Sequence, residues 1–247
     1  MTQGDGPLAP GSVAAAVAPI IDRLRLTIAR QMPIQARDLL EEHRLDLVQG
    51  QVLAMLRNLL PDRVTDRDSI RSAFRYWPPG RVDDALDRLV AGGLLAVSAD
   101  AIGLDAAGEA LLRSLRARIE VFVDELWSEH TASVTVLAEL VGRALSAAEP
   151  TGGPSFALVH PVFEPPGTSV AMVLAERLTP LRFHRADVHA AAWEAAGLTA
   201  ADAQALGPGE QRDAIEADTN RRAGAAYASL SAAQRLDLVA GLGSLPG

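Results

Sequence analysis

The side chains best suited to chemistry crowd into one run, LRFHRADVHAAAWEAAGL, at residues 181–198. Read as a helix over 181–196, it puts Leu181, His184, Val188 and Ala192 on one apolar side and Arg185, His189 and Trp193 on a second stripe. Asp187 follows His184 by three residues, within reach of its imidazole or of a neighbouring group. A histidine on an apolar face is able to ligate a metal, move a proton or recognise a buried ligand, or to sit in the core with its hydrogen bonds satisfied. The run lacks the partners that metal or covalent chemistry needs: no HExxH, no third ligand at a fixed spacing, and no cysteine anywhere in the chain. No serine or cysteine triad and no glycine-rich phosphate loop is visible elsewhere. His184, Arg185, Asp187, His189 and Trp193 are therefore the candidate contacts of a small-molecule ligand, with no metal and no cofactor, and a core histidine with its hydrogen bond satisfied is the favoured reading of His184 itself. Catalysis by His184, Asp187 and His189 is the least favoured alternative.

A second set is basic. Arg67, Arg71, Arg75, Arg81 and Arg88 recur through DRDSIRSAFRYWPPGRVDDALDRLVAGGLLAVSADAIGLDAAGEALLRSL, residues 66–115. The elements that carry them are readable. Thr65 or Asp66 caps a helix to Tyr76, with Asp68 in its first turn and Ile70, Phe74 and Trp77 facing inward. Pro78-Pro79-Gly80 breaks that helix, because a residue before proline is driven out of the helical region. A second helix runs from about Pro79 to Ala91, with Val82, Ala85, Leu86 and Leu89 in a single apolar stripe. Gly92-Gly93 stops it. Leu94 to Val97 and Ile102 to Leu104 read as a tight hairpin around Ser98–Ala101, and Asp105 caps the helix that follows.

That order resembles winged-helix regulators of the MarR type, in which a stretch similar to LxxLVxxGLL…LTxxGxxLL closes the module. Its counterparts are Leu86, Leu89, Val90, Gly93, Leu94 and Leu95, then Leu104, Gly108, Leu111 and Leu112. The resemblance implies a winged-helix fold and a homodimer on double-stranded DNA, with Arg67, Arg71, Arg75, Arg81 and Arg88 as the DNA contacts. The chemistry of the second helix pulls the other way. At about 100° per residue, Asp84 and Asp87 lie opposite the apolar stripe, where base edges would be met, and Ser98-Ala99-Asp100 offers no arginine to a minor groove. Ordinary surface ion pairs are the competing fate of these arginines. The 184–198 run is similar to a second group, the actinobacterial SalK-type helix-turn-helix family, with its HRxDxHxAAxxAAGL pattern. His184, Arg185, Asp187, His189, Ala190, Ala191, Ala195, Ala196, Gly197 and Leu198 carry that likeness. The winged-helix segment precedes the run here, a permuted order; the resemblance implies a helical protein with a winged-helix element and no defined chemistry.

Bulk properties frame these readings. The 247 residues carry a net charge of −8, every basic side chain but histidine is arginine, and 49% of residues are hydrophobic. Residues 33–118 hold 12 Arg against 13 acidic residues and 119–247 hold 8 against 16, so neither half is a basic nucleic-acid footprint. No run of eighteen apolar residues and no secretory start is present, so a cytoplasmic chain without a membrane partner is expected. The division expected is a disordered lead (1–12), a helical winged-helix domain (13–118), a long connecting helix or helices (119–149), a Pro/Gly-rich linker (150–167) and an α-helical C-terminal domain (168–247). Leu112, Leu115, Ile119, Phe122 and Leu126 suit a coiled-coil seam or the buried stripe of an intramolecular bundle. The fold class is mainly α: a winged helix-turn-helix module with a small β-wing, plus an α-helical C-terminal bundle. The function expected is a winged-helix regulator responsive to a ligand, with a small-molecule-binding or protein-interaction module that uses the winged helix only as scaffold as the alternative.

Overall fold

The computed structural model describes residues 6–35, 37–60 and 62–247. These residues are mainly helical, with one small three-stranded antiparallel sheet. Helices α1 (Pro10–Gln35), α2 (Arg37–Glu42) and α3 (Leu47–Met55) open the chain, and α3 runs into a 3₁₀ turn at Leu56–Leu59. Strand β1 (Val64–Thr65), helices α4 (Arg67–Ala73) and α5 (Arg81–Ala91) and strands β2 (Leu95–Ser98) and β3 (Ala101–Leu104) follow. Helices α6 (Ala106–Leu126), α7 (Thr131–Ala148), α8 (Pro154–Val159), α9 (Val170–Ala195), α10 (Ala200–Ala205), α11 (Glu210–Ala223) and α12 (Ala232–Ser244) complete it.

Local chemistry explains most boundaries around the hairpin. Asp66 caps α4 by accepting from the Ser69 amide at 2.7 Å. Gly80 precedes α5 in the left-handed region at φ 81, so α5 starts at Arg81 rather than at Pro79. Val82, Ala85, Leu86 and Leu89 are all buried, as their spacing requires. The hairpin pairs Val97 with Ile102 and Ser98 with Ala101, and β1 adds to the free edge of β3. A two-residue strand carries no periodicity, which is why β1 was not anticipated. Helix α6 lies hard against this sheet at Gly108, where a Cβ would stand 2.0 Å from the Leu94 carbonyl oxygen.

Beside a small cluster of Ala190, Ala192, Trp193 and Ile215, two large hydrophobic cores form among the described residues, and they do not follow the expected divisions. One gathers α3, α4, α5, the hairpin and the start of α6, with Leu158 and Val159 of α8 and Phe183 of α9. The other gathers α7, α9, α12 and the second half of α6, together with Val13, Val17, Ile21 and Leu24 of α1. So α1, assigned from sequence to the first domain, packs in the second core, and it runs unbroken through Pro19. Residues 1–5 of the expected lead lie outside the described residues, while Pro10–Ser12 form the first turn of α1. Nor is 150–167 a free linker: it holds α8, and the buried Asn58 amide donates to the Val159 carbonyl at 2.8 Å. Helix α6 contributes Leu111 and Leu112 to the first core and Ile119 and Val123 to the second, so its apolar stripe is used within the chain. The segment Ser128–Thr151 is long and apolar enough to cross a membrane by length and composition. Here its Val134, Leu137, Val141, Ala144 and Leu145 are buried in the second core.

Candidate functional site

Helix α9 is surrounded by protein on nearly every face, and this decides the surroundings of the histidine run. His184 is 2% exposed, its Nε2 2.8 Å from the Thr151 hydroxyl. That hydroxyl donates to the Ala148 carbonyl at 3.2 Å, which makes the histidine Nε2–H the donor in the pair. Burial pulls the His184 pKa down, opposed by the Asp187 charge. Asp187 accepts from the Phe156 amide at 2.8 Å and forms an ion pair with Arg75. A Cβ on Gly153 would come within 2.8 Å of the Asp187 side chain, so glycine is what allows the carboxylate in. Arg185 donates to Asn220 at 2.8 Å and to Glu216 at 3.0 Å. His189 Nδ1 lies 3.0 Å from the Thr219 hydroxyl, itself donating to the Ile215 carbonyl, and burial lowers the His189 pKa too. Trp193 is buried, and its Nε1–H donates to the Tyr76 hydroxyl at 3.3 Å. Each of the five thus has a polar partner inside the protein. An opening of about 220 Å³ borders His184, Arg185 and His189, and another of about 740 Å³ borders Asp187 and Trp193. Neither borders both His184 and Trp193. Among the described residues no three His, Asp or Glu side chains converge in a way that would hold a metal.

The five arginines of the hairpin region are also engaged. Arg67 donates to Asp87 at 2.5 Å and to Asp83 at 3.3 Å. Arg71 donates to Asp83 at 2.9 Å and to Asp68 at 2.7 Å. Hydrogen bonds from Arg71 and then Arg67 hold the Asp83 carboxyl below the usual range. Asp83 and Asp87 of α5 therefore face α4 and consume its cations, while Asp84 stays exposed. Arg75 lies largely inside, bonded to Asp187, to the Ser155 hydroxyl at 2.7 Å and to the Ser72 carbonyl at 2.8 Å. Arg81 stacks over Trp77 at 4.9 Å. Arg88 lies 3.4 Å from Asp46 with its side chain 66% exposed.

A third cavity, of about 330 Å³, opens where the two cores meet. Ile28, Met55, Phe74, Trp77, Leu115 and Met172 supply much of its apolar wall, drawn from α1, α3, α6 and α9 and from the segment that joins α4 to α5. Four charged side chains reach it. Arg57 donates to Glu176 at 2.6 Å, to the Thr179 hydroxyl at 2.9 Å and to the Ala54 carbonyl at 2.9 Å. Arg116 donates to Glu120 at 3.2 Å and to Thr168 at 3.0 Å, leaving its buried Nε without a partner. Arg25 has no hydrogen bond or ion pair among the described residues, and its Nη1 is buried. Burial, with Arg57 and Arg182 adding repulsion, pulls the Arg25 guanidinium down to about 9. Four buried side-chain nitrogens or oxygens lack a partner among the described residues, and two of them belong to this one cavity.

None of these cavity charges was singled out from sequence, yet a signal existed. Arg25 stands between Ile21 and Ile28 on the buried stripe of α1, and Arg57 between Leu53 and Leu60, each at i+4 and i+7. A cation inside an apolar stripe is the feature to follow. No family model matches the chain, and no curated protein or solved structure matches it.

Proposed function

We propose that the chain binds a small molecule in a cavity shared by a winged-helix-like module and a helical bundle, with the module acting as scaffold. The carrying observation is the cavity of about 330 Å³ at the junction of the two cores. Its apolar wall interrupted by a few convergent polar groups is the usual composition of a ligand site, and its size falls within the ~300–1,000 Å³ range of such sites. The ion pairs between α4 and α5 support the scaffold role, because they spend on each other the charges a DNA backbone would need.

The test is a thermal-shift screen of small molecules against the wild type and Ala54→Phe, which fills the cavity from α3. At least one compound is expected to raise the wild-type melting temperature with saturation and to leave the filled variant unmoved. Equal shifts in both proteins, or none in either, would defeat the reading.

A ligand-responsive winged-helix regulator is the second reading. Two features favour it: the order α4, tight turn, α5, hairpin, and the place of Trp77 on both the cavity wall and the turn leading into α5. A ligand in the cavity would then press on the segment that orients α5.

A further inference from the structure

We propose that the ligand of the junction cavity is a monoanionic amphiphile, its single negative charge held by Arg25 and its apolar body lying against Phe74, Trp77 and Met172. This rests on the small-molecule reading above and adds the chemical class to it.

The charge count points to one anion. Around the cavity Glu176 answers Arg57 at 2.6 Å and Glu120 answers Arg116 at 3.2 Å. Asp22, one turn before Arg25 on α1, is committed to Arg182 at 2.7 Å. Arg25 is left over, a cation with a buried nitrogen and no counter-ion among the described residues. An uncompensated charge partly withdrawn from water is costly, whereas a carboxylate brought to it forms charge-assisted hydrogen bonds in a fork geometry. The free Nε of Arg116 is a second donor on the same wall. An anion with no apolar body would leave most of the wall unused; a neutral apolar body would leave the guanidinium unanswered. A di- or trianion would exceed the one unmatched charge. The two aromatic rings and the thioethers of Met55 and Met172 accept varied apolar shapes, so the class is defined by charge and amphipathicity rather than by one skeleton.

Octanoate, 1-octanol and acetate separate the contributions of head and body, measured by isothermal titration against wild type, Arg25→Met and Ala54→Phe. Arg25→Met keeps the apolar stem and removes the charge. Octanoate is expected to bind the wild type at one site, at least about tenfold more tightly than octanol or acetate, and to lose at least about tenfold in Arg25→Met. Octanol should bind Arg25→Met no more weakly than it binds the wild type, and Ala54→Phe should lose octanoate with Arg25 intact. Octanol equal to octanoate in the wild type, or octanoate indifferent to Arg25→Met, overturns the anion assignment while the small-molecule reading stands. Acetate as tight as octanoate overturns the amphiphile. Binding of no probe to the wild type removes both. Should Arg25→Met fail to fold, the wild-type comparison of octanoate with octanol decides alone.

Discussion

His184 shows how one side chain's surroundings become a property measurable in solution. Its Nε2–H donates to Thr151, and burial, which disfavours the charged ring, holds its pKa below the ordinary 6.5. The unfolded chain takes up a proton near pH 6.5 and the folded one resists, so folded stability is full above that pH and declines as pH falls below it. His189 shifts in the same direction for the same chief cause, its burial. The carboxyls of Asp66, Asp83 and Asp202 are held below 3.8 by hydrogen bonds, so their contribution is lost only at more acidic pH. The melting temperature should therefore drop between pH 7 and pH 5, and His184→Gln should flatten that slope; an identical slope in both proteins would refute the assignment. Sequence left this histidine between a ligand contact and a satisfied core residue, because helical spacing places it on a face but does not say what covers that face. The caps at Asp66 and Asp105 were readable from sequence, since the atoms concerned lie within three residues. Arg25 was not: what matters there is the missing partner, and that depends on α3, α6 and α9 at once.

At the scale of elements, spacing conveyed which faces are buried and glycine conveyed where elements touch. Gly108 belongs to a motif quoted from sequence, and its reason is steric: α6 passes so close to Leu94 that only hydrogen fits. Gly108→Ala should destabilise the fold by about 1–3 kcal/mol through overpacking against backbone that cannot step aside. A urea midpoint unchanged from wild type would contradict that contact. Helix α9 shows the limit of local rules. Pro180 removes one amide donor and crowds the Glu176 carbonyl, so propensity alone argues for a break and a start at residue 181. The helix instead spans Val170–Ala195, because packing on both cores outweighs the lost bond. The α8 segment was likewise unreadable as a helix: six residues after Gly152-Gly153 carry too little periodicity, and the buried Leu158 and Val159 hold them in place.

For the whole molecule the net charge is −8, and on the α4–α5 face Arg67 and Arg71 are paired with Asp83 and Asp87 of α5. Under the scaffold reading, a gel-shift assay with duplex DNA from the region upstream of the coding sequence should show no complex at low salt. A complex that weakens with added salt and with Arg88→Ala would instead favour the regulator. The division into units was the least legible feature, because composition marked a boundary at 150–167 whereas burial joins α1 to partners far along the chain. Arg23 of α1 donates to the Leu245 carbonyl at 2.9 Å, 222 residues away. A ribosome adding about 5–20 residues each second takes on the order of ten to forty seconds to cover that interval. Through all of it Val13, Val17, Ile21 and Leu24 have no finished core to enter, so the nascent chain presents an apolar helix suited to chaperone capture.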